Sequence, residues 1–188
     1  MTQPHPAKQP VSAALAGPYG HPFHPILVTV PIGAWAAGLV FDIASHLVEG
    51  PEFLSRGAMW LIALGVIGAL AAAMVGFLDL FAIPTGTRAF RVGLIHMTLN
   101  LLVTAAYLGN FLWRHAGGGP SGSVGAGPMA LNAAAFVVLG VSGWLGGKLS
   151  YRYGIRVADE ETQAEGFVRV HPAEGLTPVH PRPQGRTD

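Results

Sequence analysis

Four long apolar runs constrain this chain more than any other feature of its sequence. They cover about residues 26–48, 58–83, 92–113 and 129–149. A bilayer core about 30 Å thick needs roughly 20 apolar residues per helix, and each run meets that length. The chain is 51% hydrophobic and only 11% charged, which differs from the balance of a soluble domain. The sequence therefore predicts an all-α integral membrane protein, folded as a four-helix bundle.

The basic residues predict the orientation of this bundle, because Lys and Arg accumulate on the cytoplasmic side of a membrane. If the four spans alternate in direction, Arg56 and Arg114 fall on one side. The opposite side holds Lys8, Arg88, Arg91, Lys148, Arg152 and Arg156. We therefore expect a multi-pass protein of the cytoplasmic (inner) membrane, with both termini in the cytoplasm.

Changes in composition divide the chain into three parts. Residues 1–20 are expected to form an N-terminal cytoplasmic segment, and residues 21–157 hold the four-helix transmembrane domain. Beyond them, scattered charges and prolines with few apolar residues predict a disordered cytoplasmic tail over residues 158–188. No internal repeat is visible in the membrane portion. The expected partner is the lipid bilayer, and a homo-oligomer stays open.

Several function classes are excluded or unsupported by composition and motifs. The chain has no cysteine, so it provides no disulfide and no thiolate ligand for zinc or an iron–sulfur cluster. Its formal net charge of +1, without a basic cluster, offers no surface for nucleic acid. It contains no GxSxG, HExxH or GxxxxGK[ST] motif, so hydrolase and ATPase functions are unsupported. If the protein takes part in a reaction, we expect a redox component.

The candidate site consists of polar side chains inside or beside the apolar runs. The stretch HPFHPILVTVPIGAW places His21 and His24 at the start of the first run. With alternating spans, Asp79 ends the second run on the same side of the membrane. His96 lies about 7 Å into the third run, counted from Arg91 at about 1.5 Å per residue. We expect these side chains to converge at one depth, near the cytoplasmic face.

This convergence predicts a site for haem b or a divalent transition metal, used for electron transfer. Two imidazoles from different helices can ligate one metal centre, and a nearby carboxylate fixes the tautomer of a ligating histidine. The predicted haem-binding residues are the ligands His24 and His96, the supporting carboxylate Asp79, and Arg88 and Arg91, which would pair with haem propionates or with lipid headgroups. The predicted ligands for a metal ion are His21, His24 and His96.

Two other functions stay open for the same residues. In a non-catalytic scaffold or interaction protein, His96 only hydrogen-bonds Asp79 to hold two helices together, and the tail recruits a partner. In a small proton-coupled transporter built by oligomerisation, Asp79 and His96 carry the proton. Asp42 and Arg114 lie at the opposite ends of the first and third runs, where we expect a structural salt bridge.

Four segments of the chain, in this order and at these separations, resemble a known family. They are HPFHPILVTVPIGAW, GFLDL, PTGTRAFRVGLIHMTLN and GVSGWLGGKLSYRYGIRV, and the resemblance extends from His21 to about Val157. The chain resembles the bacterial predicted membrane-protein family called domain of unknown function 2231. The resemblance implies a four-helix integral membrane domain. It also implies recurrent polar positions at His21, His24, Asp79, Arg88, His96 and Asn100.

The resemblance further implies a link with electron transfer, because some relatives look like membrane anchors fused to a Rieske iron–sulfur domain. This chain has no cysteine. A Rieske-type redox partner would therefore be a separate polypeptide. Where relatives place a histidine near the end of the last helix, this sequence has Tyr153.

Overall fold

The computed structural model describes residues 5–169 and 177–178, in two compact units over residues 1–157 and 158–188. The first unit starts with a 3-10 turn at Pro6–Lys8 and a short helix, α1 (Ala13–Ala16). Its remaining helices are α2 (His24–Leu27), α3 (Thr29–Ala44), α4 (Glu52–Phe81), α5 (Arg88–Ala116) and α6 (Ala126–Gly147), which continues as a π-helix over Lys148–Arg152.

Four helical segments are long and apolar enough to cross a membrane, which confirms the predicted fold. They are His24–Ala44, Glu52–Phe81, Arg88–Ala116 and Ala126–Arg152. The helix ends differ from the ends of the apolar runs by a few residues. Most helices extend into flanking polar residues, since backbone hydrogen bonding does not stop where hydrophobicity stops. The first helix instead ends early, at Ala44, where the Ser45 hydroxyl donates to the Asp42 carbonyl oxygen at 2.7 Å.

The first span is interrupted between α2 and α3, at Val28. Pro31 follows three residues later and has no N–H to donate to the carbonyl of Leu27, so the helix cannot continue regularly through this point. The Thr29 hydroxyl donates to the carbonyl oxygen of Ile26 at 2.7 Å, which satisfies an acceptor freed by the break. His24 is the first residue of α2, on the N-terminal side of this break.

The long helices close into a ring in which α3 packs on α4, α4 on α5, α5 on α6, and α6 on α3. Helices α3 and α5 therefore face each other across the centre of the bundle. Trp35 and Tyr107 stack there, with ring centroids 4.1 Å apart and planes 11° from parallel. The buried core around them consists of Trp35, Ile62, Val66, Val103, Tyr107 and Ala135. Large apolar side chains such as Met74 and Val137 are exposed on the outside, as expected of a surface that faces lipid.

The N-terminal segment is fastened to one end of the bundle. Ala7 packs in a second buried cluster with Ile83, Leu149 and Ile155. Arg156 has a left-handed backbone (φ 59°), and its N–H donates to the Ala7 carbonyl oxygen at 3.1 Å. The guanidinium Nη2 of Arg156 also donates to the carbonyl oxygens of Ala16 and Gly17, at 2.9 and 2.8 Å.

The second unit holds short elements in its described part. Helix α7 (Glu160–Ala164) begins where the Asp159 carboxylate accepts the Thr162 N–H at 2.9 Å. A 3-10 turn follows at Glu165–Phe167, and strand β1 (Val168–Arg169) pairs antiparallel with β2 (Thr177–Pro178). The side-chain cap supports local helical structure at the start of this unit, and the predicted disorder of the tail stays a prediction. For residues 170–176 and 179–188 that prediction lies outside the described residues.

Candidate functional site

The two predicted histidine ligands lie together at one end of the bundle, here called the histidine end. His24 is the first residue of α2, and His96 lies about two turns into α5. Their ring centroids are 6.4 Å apart, and the ring planes are nearly perpendicular, at 84°. Both residues are half-buried. The predicted convergence of side chains from different spans therefore holds for this pair.

The ring of His24 is fixed against α4. Its Nδ1 lies 2.9 Å from the carbonyl oxygen of Ala72. The ring packs on Gly76, where an added Cβ would lie only 2.8 Å from Cε1 of His24. A carbonyl oxygen can only accept, so Nδ1 is the donor, and in the neutral ring Nε2 keeps its lone pair.

The ring of His96 is fixed against α6 in the same way. Its Nδ1 lies 2.8 Å from the carbonyl oxygen of Ser142, and an added Cβ at Gly146 would lie 3.0 Å from Cε1 of the ring. Nε2 is again the unprotonated nitrogen. Here it has a neighbour, since the amide Nδ2 of Asn100 lies 3.1 Å away and can donate to it. The two rings thus differ in whether Nε2 is already hydrogen-bonded.

These matching contacts extend along the whole bundle. Asp42 and Arg114 are 72 residues apart in the sequence. The same separation relates His24 to His96 and Trp35 to Tyr107. All three pairs connect the first span to α5 across the centre of the bundle. The first and third spans therefore run parallel and in register.

Residues of α4 and α6 also form corresponding pairs, and the two members of each pair are again a constant number of positions apart in the sequence. The Trp35 indole N–H donates to the Ile62 carbonyl oxygen at 3.2 Å, and the Tyr107 hydroxyl donates to that of Asn132 at 3.3 Å. Gly57 packs under Phe41 just as Gly127 packs under Trp113. The corresponding pairs are Gly57 and Gly127, Ile62 and Asn132, Ala72 and Ser142, and Gly76 and Gly146. The two halves of the bundle are structural counterparts, a repeat that sequence comparison missed because most paired side chains differ.

Asp79 lies near the histidines but is paired with another residue. Its Oδ1 is 2.8 Å from Nε of Arg156, and both side chains are buried. Asp79 follows Gly76 by one helical turn, so it lies beside the surface on which His24 packs. In the sequence, Arg156 indicates only the orientation of the bundle in the membrane. No neighbouring residue predicts the left-handed turn that brings its side chain to α4.

The other predicted site residues are not joined to the histidine pair. His21, Arg88 and Arg91 are exposed. Among residues 5–169 and 177–178, no group of three His, Cys, Asp or Glu side chains could hold a metal ion. Tyr153 packs against the buried cluster that closes the histidine end. The structure thus brings together His24 and His96 from the predicted set, with Asp79 close by.

The opposite end of the bundle holds the predicted salt bridge. Arg114 Nη1 and Nη2 lie 2.7 and 2.6 Å from the two carboxylate oxygens of Asp42, and both side chains are almost fully buried. Asn132 Nδ2 donates to the same carboxylate at 2.6 Å, and Arg114 Nε donates to Asn110 Oδ1 at 2.8 Å. A buried ion pair with this many additional hydrogen bonds stabilises helix packing. The sequence predicted the Asp42–Arg114 salt bridge but not the hydrogen bonds that Asn132 and Asn110 make to it.

The histidine pair supplies two imidazoles, and the number of protein ligands distinguishes a haem from a bare metal ion. Two imidazoles on opposite sides of one metal, with bonds of about 2.0–2.1 Å, have ring centroids roughly 6.3 Å apart. The observed distance is 6.4 Å. A porphyrin supplies four ligands to its iron and needs only two from the protein, whereas a zinc-type site needs three or four. The chain has no cysteine for thioether attachment, so a haem held by these residues would be non-covalent.

Comparison with known proteins identifies a family. The model of a family described as "Predicted membrane protein (DUF2231)" matches residues 20–159, which confirms the resemblance noted from the sequence segments. Comparisons with curated proteins and with solved structures give no match.

Proposed function

The chain belongs to the DUF2231 family of predicted membrane proteins, and we propose that it binds haem b between His24 and His96 and carries electrons one at a time. One observation supports this above the others. In both rings Nδ1 lies at hydrogen-bond distance from a backbone carbonyl oxygen, so in the neutral rings Nε2 is the nitrogen with the lone pair. Metal-ligating histidines are held in this way, because the second hydrogen bond fixes the tautomer and the ring orientation.

The chemistry follows from the number of protein ligands. Haem iron supplies one-electron redox chemistry when bound. His24 and His96 would both hold the iron, and two protein ligands of this kind would favour electron transfer over oxygen binding. The surrounding apolar helices would limit the access of water to the site. Asn100 has to release Nε2 of His96 for ligation, because its amide is 3.1 Å from that atom.

The remaining predicted residues have supporting roles in this proposal. Asp79 acts through Arg156 and α4 rather than as a hydrogen-bond partner of a ligand, since its carboxylate pairs with the guanidinium at 2.8 Å. Arg88 and Arg91 lie in the first turn of α5, near the histidine end, where they are free to pair with propionates. The electron partner would be a separate redox protein, such as a Rieske-type protein.

The test is an absorption spectrum of the full chain, purified from membranes of cells supplied with a haem precursor. We expect a Soret band that sharpens and shifts on reduction with dithionite, at one haem per chain. His24→Ala and His96→Ala should each lose the reduced low-spin spectrum, because each removes one axial ligand. His46→Ala is the matched control, since His46 is exposed beyond the end of α3, and it should keep the full spectrum.

Several results would contradict the haem proposal. If the chain carries no haem, and hemin added to the purified protein gives no stoichiometric spectral change, the haem proposal is wrong. Full haem occupancy in His96→Ala would instead overturn the ligand assignment. A colourless protein that moves protons across vesicle membranes, and stops doing so in Asp79→Asn, would favour the transporter alternative. Without such flux, co-purification with one partner would favour the scaffold.

A further inference from the structure

A second candidate site lies on the outer surface of α6, where the helix changes to a π-helix. The pocket has a volume of about 410 Å³ and is here called the basic pocket. It is lined by Trp144, Gly147, Lys148, Tyr151 and Arg152. Trp144, Lys148 and Tyr151 are separated by four and three positions, and Gly147 and Tyr151 by four, so the lining residues share one face of the helix. The wide turn is closed by a bond from the Tyr153 N–H to the Lys148 carbonyl oxygen at 3.2 Å.

The basic pocket presents two cations that have no acidic partner in the bundle. Within residues 5–157, neither Lys148 nor Arg152 forms an ion pair. The ammonium of Lys148 lies 5.4 Å from the ring centroid of Trp144 and 6.0 Å from that of Tyr153. These cation–π contacts hold the charge at the pocket while leaving its hydrogen-bond donors available. Two adjacent cations with free donors favour a phosphate group as ligand.

The position of the basic pocket suits the phosphate of a lipid. Arg152 is the last residue of a candidate membrane span, Ala126–Arg152, so the pocket lies at the depth of the headgroups. The side chains of Trp144 and Tyr151 are 67% and 92% exposed. Aromatic rings that are both exposed and beside cations are typical of the interface between lipid and water.

Gly140 and Gly143 have no side chains, so the surface of α6 is lower there, between the basic pocket and the middle of the span. This strip is here called the groove. At Gly140 and Gly143 an added Cβ would meet no atom within 4 Å, so the surface there is open. The exposed side chains of Val137 and Val141 border this groove. An acyl chain can lie along it while the headgroup is at the pocket, since the groove is apolar and parallel to the helix.

The counterpart surface on α4 serves as an internal comparison. The residues that correspond to Gly140 and Gly143 are Leu70 and Ala73. Those that correspond to the basic pocket are Met74, Phe77, Leu78, Phe81 and Ala82. This second surface occupies the same place in the other half of the bundle, yet none of these residues is a cation, and side chains stand at both positions that correspond to the glycines. Its residues Phe81 and Ala82 line a different pocket, together with residues of the N-terminal segment. The two cations and the two glycines on α6 are therefore not a general requirement for a lipid-facing helix of this fold.

We propose that the basic pocket binds one anionic phospholipid, with the phosphate between Lys148 and Arg152 and an acyl chain over Gly140 and Gly143. This site is separate from the histidine pair and does not depend on the haem proposal. Phosphatidylglycerol serves as the probe. Phosphatidylcholine with the same acyl chains is the zwitterionic comparison.

The experiment is native mass spectrometry of the full chain released from nanodiscs that contain both lipids. We expect at least tenfold more retained phosphatidylglycerol than phosphatidylcholine. The K148Q/R152Q variant should lose this preference. The control R56Q removes an exposed cation from the opposite end of the bundle, on α4, and should keep it.

Other results would overturn the proposal. A preference that survives in K148Q/R152Q, or that falls equally in the control, would mean that lipids adsorb to overall charge. Displacement of the lipid by millimolar inorganic phosphate would mean that the cations recognise a free anion. Gly143→Leu keeps both cations and fills the groove, so it tests the site even if the double variant does not fold. Undiminished lipid retention by Gly143→Leu would overturn the placement of the acyl chain.

Discussion

Gly76 and Gly146 determine how closely the two histidine rings approach the helices behind them. An added Cβ would lie 2.8 Å from Cε1 of His24 at Gly76, and 3.0 Å from Cε1 of His96 at Gly146. Only a residue without a side chain allows each ring to reach the carbonyl oxygen one turn earlier, at Ala72 or Ser142. The absence of a side chain at Gly76 and Gly146 therefore determines where each histidine ring lies.

Gly76→Ala should therefore displace His24 and lower haem affinity at least tenfold. Overpacking of this kind also destabilises a fold by about 1–3 kcal/mol. Hemin titration of the apoprotein, with thermal unfolding in detergent, measures both effects. Gly140→Ala is the control, because its Cβ would meet open space, and it should bind haem like the wild type. Unchanged affinity in Gly76→Ala would mean that the His24 ring does not need its contact with α4.

At the residue scale, sequence identified His24 and His96 but not the groups that hold them. Their depth followed from counting along spans that alternate in direction, which is a property of the chain itself. Their hydrogen-bond partners are backbone carbonyls of Ala72 and Ser142, and every residue has such a carbonyl. No residue type therefore marks these partners. Asn100 is four residues after His96, so helical spacing places it on the same face, and the family resemblance also implies a polar residue there.

At the scale of elements, the segment after the π-helix fastens three parts of the chain together. Arg156 pairs with Asp79 of α4 and donates to the carbonyls of Ala16 and Gly17 near α1. Its backbone also bonds to Ala7. Sequence could not predict this arrangement, because it depends on a left-handed residue that turns the chain back after Gly154, which also has a positive φ.

Arg156→Ala should release the N-terminal segment and destabilise the bundle by about 3–5 kcal/mol, since it leaves the Asp79 carboxylate buried without a partner. Limited proteolysis measures the release, as faster cleavage between residues 5 and 20. Arg152→Ala is the matched control from the exposed side of the same segment, and it should leave the cleavage rate unchanged. Equal rates in wild type and Arg156→Ala would show that the segment is held without this arginine.

At the scale of the whole molecule, four apolar runs were enough to predict four spans and their order. The run lengths could not give the helix ends or the break at Val28, because these depend on side-chain caps and on Pro31. The correspondence between the two halves of the bundle could not be predicted from the sequence either. It appears in matching contacts, such as Trp35 with Ile62 and Tyr107 with Asn132, whose residue types share little.

The orientation of the bundle decides which side of the membrane can exchange electrons with the histidine end. The distribution of Lys and Arg predicts that this end, with both termini, faces the cytoplasm. The chain has no cysteine, so single-cysteine variants report topology without background. A maleimide that cannot cross membranes should label Ser121→Cys, in the loop between α5 and α6, in intact spheroplasts. It should label Ala14→Cys only after permeabilisation, since α1 lies at the histidine end, and the reverse pattern would place the histidine pair on the outer side.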